Sequence, residues 1–154
     1  MRLAILTTVL ALSPVAASAS GGISCSAEEG GVTFELGGGV ARGMGAPLFS
    51  FQGTLEIAGT DVAADLGTTE FSREHVAQYW LDGEDLRLLV YRERDGDAPH
   101  GYVELTIRTK ARPGDDGEGL YDGDYEAVLY DTSDAASAEG RTATFAGKVS
   151  CFAE

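Results

Sequence analysis

The chain has 154 residues and a mass of 16.1 kDa, with 25 Asp and Glu against 11 Lys and Arg, a formal charge of −14. That length suits one domain and is short for two. A charged content of 23% beside 44% hydrophobic residues argues against wholesale disorder, and the acidity argues against nucleic acid or an anionic membrane surface as partner, since both need a basic footprint.

In chain order, the first element is an address. Met1-Arg2 with the terminal amine makes a short positive region, an apolar run follows from Leu3 to Ala17, and Ala17-Ser18-Ala19 is a small-x-small cleavage signal. This pattern predicts a secretory signal peptide over residues 1–19, cut after Ala19, and a single β domain over residues 20–154. The apolar run is short of the ~20 residues of a spanning helix and contains Pro14. A lipidated Cys25 would need a large aliphatic residue where Gly22 stands, so the expectation is a free export product. Cleavage leaves 135 residues, removes Arg2 and moves the charge to −15. All 21 glycines remain, which favours turns and tight strand connections over long helices.

Alternation of apolar and polar residues then marks one strand after another. Val32 to Leu36 alternates cleanly, and a glycine-rich connection runs from Gly37 to Gly45. Phe49, Phe51, Gly53, Leu55 and Ile57 are expected on one face of a long strand, with a short return strand over Val62 to Leu66. The segment Glu70 to Val76 leaves room for a helical turn. His75 to Leu81 and Glu84 to Arg94 flank Asp82-Gly83, a type I′ hairpin signal. In the second arm Leu86, Leu88 and Val90 share one face and Leu89 and Tyr91 the other, which suggests cover on both sides. Further strands follow around Val103–Thr109, Tyr125–Leu129 and Ala143–Cys151, separated by polar loops over residues 112–119 and 132–140. The pattern predicts an all-β fold, an antiparallel β-sandwich or a closed β-barrel of about eight or nine strands.

Cys25 and Cys151 are the only cysteines and sit near the two ends of the mature chain. In an oxidising compartment an even pair reads as a disulfide tying the terminal strands. There is no Cys-x-x-Cys spacing and no neighbouring histidine to suggest redox or metal chemistry. The predicted location is therefore periplasmic or extracellular.

Chemistry is harder to find. GxSxG, HExxH, phosphate-loop, dinucleotide and zinc spacings are all missing, and His75 and His100 share no ligand spacing, so the expectation is a protein that is not an enzyme. Asp115, Asp116, Asp122 and Asp124 lie among glycines and are the Ca²⁺ candidates, the one cofactor left open. Set against a twelve-residue EF-hand loop from Asp115 to Glu126, positions 3, 5 and 6 fall on Gly117, Gly119 and Leu120, and the match fails. A solvated acidic loop is the simpler expectation.

The aromatics Tyr79, Trp80, Tyr91 and Tyr102 are the candidate binding residues. Tyr79 and Trp80 are adjacent on a strand and must point to opposite faces. Together these features describe a small exported binding protein with a basic protein partner, its specific form an inhibitor of a cationic envelope enzyme. The alternative is a β-barrel carrier of a small apolar ligand, held in a chamber lined by Phe49, Phe51, Leu55 and Ile57.

Overall fold

The structure is a computed structural model that describes residues 20–41, 47–59, 63–113, 119–133 and 139–154. The predicted signal peptide therefore lies outside the described residues, as do Asp115 and Asp116.

Nine strands follow in chain order: β1 (Ser20–Glu29), β2 (Val32–Ala41), β3 (Leu48–Ile57), β4 (Thr68–Ser72), β5 (Val76–Asp82), β6 (Asp85–Glu93), β7 (Gly101–Ala111), β8 (Gly119–Asp131) and β9 (Arg141–Ala153). A single helical turn, α1 (Ala64–Gly67), precedes β4, and a 3₁₀ turn over Arg73–His75 separates β4 from β5. Every pairing is antiparallel, and the order is β4-β3-β2-β1-β9-β8-β7-β6-β5. Except for β4 and β5, which end the order, each strand pairs with the next in sequence, and β1 meets β9. The result is a nearly closed up-and-down barrel, and the alternative of a sandwich falls away.

β4 pairs with β3, β5 pairs with β6, and three residues join them. They are two halves of one bent stave, so nine strands make eight staves. The gap beside this bend is bridged by side chains. Arg92 Nη1 donates to the Glu70 carbonyl (2.6 Å), and Arg94 reaches Asp65 on α1 and Asp131 on β8. Leu66 of α1 is buried against this end of the barrel.

The alternation of the sequence fills the interior. Phe34, Leu55, Leu86, Val90, Leu105 and Ile107 are at most 1% exposed. A side chain lining a ligand-sized chamber would keep surface open to water, and these keep none. Most outward positions are polar or charged, for example Arg108 and Lys110 on β7 and Asp122, Asp124 and Glu126 on β8, with Phe49, Trp80, Leu120 and Phe152 as exceptions. That is the reverse of a lipid-facing barrel, whose outer band is apolar. No described helix is long and apolar enough to cross a membrane.

The predicted bridge is present. Cys25 and Cys151 face each other directly across β1 and β9, with Cα atoms 4.0 Å apart, and both are buried. A buried disulfide points to a compartment outside the reducing cytoplasm.

Three local expectations are corrected. Phe49 does not share the face of Phe51, Leu55 and Ile57: it is 43% exposed while Leu48 is buried. A bulge sets Ser50 and Phe51 against Gly38, and Ser50 takes φ 49°, which inverts the alternation beyond it. The outward Phe49 ring lies over Gly39, where a Cβ would sit 2.4 Å from it. The return strand expected over Val62 to Leu66 lies later, as β4, because residues 64–67 coil into α1; Val62 is outside the described residues. The hairpin turn also falls one residue later, on Gly83-Glu84. The positive φ (56°) belongs to Gly83 alone, whereas the type I′ turn requires two.

Candidate functional site

The predicted aromatics are placed in three different settings. Tyr79 points into the barrel and is half-buried, and its hydroxyl is the one buried side-chain polar atom among the described residues with no hydrogen-bond partner. Burial, with Tyr121 nearby, pushes this phenol up to about 12. Trp80 points outward from β5 and is 57% exposed, directly across from Arg87. Tyr91 and Tyr102 do come together, on the outside of β6 and β7.

They form part of a longer row. Tyr102 lies opposite Tyr130 on β8 and diagonal to Tyr91, with ring centres 5.4 and 5.3 Å away. His100 packs beside Tyr130 and Tyr102 at 5.8 and 6.1 Å. Two hydroxyls are already engaged: Tyr91 donates to Glu93 (2.8 Å) and Tyr130 to the Glu139 carbonyl (3.1 Å). Burial, and then the hydrogen bond to Glu93, push Tyr91 up to about 12. Cross-strand aromatic pairs of this kind stabilise a sheet. The row ties three staves together and leaves an aromatic surface as a by-product.

The acidic candidates resolve differently. Asp122 is held by Arg112 and Ser150, and Asp124 by Lys148. The Arg112 guanidinium, and then the Ser150 hydroxyl, hold the Asp122 carboxyl below its usual range. Among the described residues no group of three or more His, Cys, Asp or Glu is placed to hold a metal ion.

A broad concavity lies on the opposite side of the barrel, outside β4, β3, β2, β1, β9 and the start of β8. It is a trough of about 800 Å³. Strand pairing builds it from two parallel rows. One row runs Glu70, Thr54, Glu35, Ser26, Ser150, each directly across from the next. The other runs Gln52, Gly37, Ser24, Phe152, Leu120. Small side chains in the middle make the floor shallow. Phe152 and Leu120, 40% and 39% exposed, form an apolar wall at one end. Cys25 and Cys151 lie in the floor with their disulfide turned inward.

The carboxylates of this trough differ from those elsewhere. Asp65, Asp85, Asp122, Asp124 and Asp131 each have a cationic neighbour. Glu35 and Glu70 are exposed, and among the described residues no salt bridge engages either carboxylate, although Arg92 donates to the Glu70 main-chain carbonyl. The sequence carries the reason. Between Ser20 and Ser72 there are seven Asp and Glu and one base, Arg42. Residue-by-residue inspection misses Glu35, Glu70 and Phe152, because none sits in a motif. The skewed distribution of Lys and Arg was the available signal.

These features define a water-facing antiparallel barrel, stapled at its β1–β9 seam, with an acid-bearing groove on its outer wall. Comparison with known proteins adds no relative: no family model matches the chain, and no curated protein or solved structure matches it significantly.

Proposed function

We propose that the protein is an exported, non-enzymatic binding protein that engages a basic protein partner on the outside of its barrel. The carrying observation is the trough, in whose concave wall the Glu35 and Glu70 carboxylates enter no salt bridge among the described residues, Arg92 being bonded to the Glu70 main-chain carbonyl. Unneutralised carboxylates in a concavity focus a negative potential that draws and orients a positive ligand. The mature charge of −15 adds long-range steering of the same sign. Inhibition of a cationic envelope enzyme is one specific form of this activity.

The filled interior favours a ligand on the surface over a carried apolar molecule. Export fits the disulfide and the N-terminal pattern, with cleavage after Ala19. Ca²⁺ has little support, since Asp122 and Asp124 are engaged by Arg112 and Lys148.

The test is capture of envelope proteins on the immobilised mature chain at low and physiological salt, with and without EDTA. The expected result is retention of basic proteins that weakens with salt and ignores EDTA. Retention of neutral or acidic proteins, or none at either salt level, would overturn the reading. N-terminal sequencing of the exported protein should begin at Ser20.

A further inference from the structure

We propose that the trough takes an extended basic segment of that partner in polyproline II conformation, with two basic side chains three residues apart and an apolar side chain three residues further on. The inference rests on the basic-partner reading and gives it a spacing rule.

The spacing follows from strand pairing. Glu70 and Glu35 stand on β4 and β2, both across from Thr54 on β3. Two strand steps separate them, roughly 10 Å. From Glu35 two further steps lead through Ser26 on β1 to β9, where Phe152 occupies the neighbouring row. That diagonal is roughly 12 Å, shortened for a ligand by the reach of the phenyl ring. A chain lying across the strands thus meets a carboxylate, a second carboxylate and an apolar wall at nearly even intervals.

A polyproline II segment has three residues per turn and rises ~3.1 Å per residue, so every third side chain faces the same way at intervals of about 9 Å. A β-strand turns residues i and i+3 to opposite sides and cannot meet all three points from one face. An α-helix reaches a similar interval only between residues seven apart, ~10.5 Å, and its main-chain polar groups are already bonded within the helix and cannot meet the polar floor. The floor suits an approaching main chain. Ser24, Ser26, Thr54 and Gln52 present hydroxyls and an amide, and a polyproline II backbone keeps its own polar groups free to meet them. The apolar point has its own observation. Phe152 and Leu120 are adjacent across β8 and β9, and among the described residues only Phe49 and Trp80 join them as exposed large apolar side chains.

Two synthetic peptides of equal composition separate spacing from charge: KPPKPPL, with its lysines three apart, and KKPPPPL, with them adjacent. Calorimetry on the mature chain at low salt should give at least about fivefold tighter binding of the first. E35Q and E70Q should each weaken KPPKPPL by a similar factor and bring it close to KKPPPPL. F152S should abolish the preference for KPPKPPL over KPPKPPA. Unchanged melting temperatures would show that the three variants still fold, as their exposure predicts. Equal affinity for KPPKPPL and KKPPPPL, or indifference to E35Q and E70Q, overturns the proposal. If basic proteins are nevertheless captured, the basic-partner reading stands without the spacing rule. If neither peptides nor basic proteins bind, both fall.

Discussion

Replacing Cys25 and Cys151 together by alanine removes the one covalent tie across the β1–β9 seam. The bridged residues are 126 apart in sequence. In the chain-entropy description, opening so long a loop in the unfolded state lowers stability by about 5 kcal/mol, an upper figure because residual structure in the unfolded chain subtracts from it. Both positions are buried, so the lost sulfurs cost something further by leaving a small void. The native ladder is expected to survive, because hydrogen-bonded pairing from Ile23 to Ser26 still joins β1 to β9. For a mature domain of this length, a loss of 4–5 kcal/mol lowers the melting temperature by about 15 °C. Urea unfolding followed by circular dichroism should show the midpoint falling and the denaturant slope rising, since an uncrosslinked chain exposes more surface. A double variant that melts within about 3 °C of the parent, with the same slope, would refute the entropic argument.

The remaining predictions concern single side chains. Arg94→Met should cost about 2–3 kcal/mol, since the Arg94 side chain is 7% exposed and its guanidinium anchors Asp65 of α1 and Asp131 of β8. Hydrogen bonding from Arg94 lowers the Asp65 pKa from 3.8, and for Asp131 the hydrogen bonds of Ser133 and Arg94 outweigh an opposing burial effect. Lowered carboxyls stabilise the fold above their unfolded pKa and lose that contribution as acid titrates them. Urea midpoints of parent and variant should therefore differ at pH 7 and converge as pH falls through and below 3.8. Tyr79→Phe should be neutral or stabilising by about 1 kcal/mol because its hydroxyl is buried without a partner, whereas Tyr121→Phe, which loses a 3.0 Å bond to the Gly83 carbonyl, should cost about 1 kcal/mol. In urea unfolding Ser50→Gly should raise stability slightly and Ser50→Val lower it by about 1–2 kcal/mol, because φ 49° suits glycine and resists a β-branched side chain.

The barrel was largely legible because its interior obeys a two-residue period over most strands. Val32 to Leu36 and Val103 to Thr109 read correctly for that reason. The failures lie where the period breaks. One additional residue in β3 turned Phe49 outward, and no local rule announces that Ser50 will accept a left-handed backbone. The choice of barrel over sandwich depends on β1 meeting β9 and on β4 and β5 sharing one bent stave, both long-range facts. The cysteine pair gave the first of these indirectly. The candidate site was less legible still. Tyr91 and Tyr102 meet through diagonal pairing, and their companion Tyr130 lies 28 residues along the chain from Tyr102. Glu35, Glu70 and Phe152 share one wall only because five adjacent strands, β4, β3, β2, β1 and β9, bring them there.

The disulfide and the trough are parts of one arrangement. Ser24 and Ser26 flank Cys25 on β1, and Ser150 and Phe152 flank Cys151 on β9, so the residues that point outward into the trough alternate with the cysteines that point inward. The seam therefore runs through the floor of the trough. Glu35 and Glu70 lie on one side of it and Phe152 on the other. A ligand that needs both sides senses the separation of β1 and β9, which the bridge restrains. Under conditions where the double alanine variant remains folded, the KPPKPPL peptide should bind it more weakly than the parent, with a greater loss on the apolar side than on the basic side. The comparison is direct: the advantage of KPPKPPL over KPPKPPA should shrink in the variant while the advantage over KKPPPPL persists. Glu35 and Glu70 remain joined through β3, and only their distance to Phe152 depends on the seam. Equal loss on both sides would mean that the bridge holds the whole wall, and an unchanged profile would mean that the β1–β9 hydrogen bonds suffice.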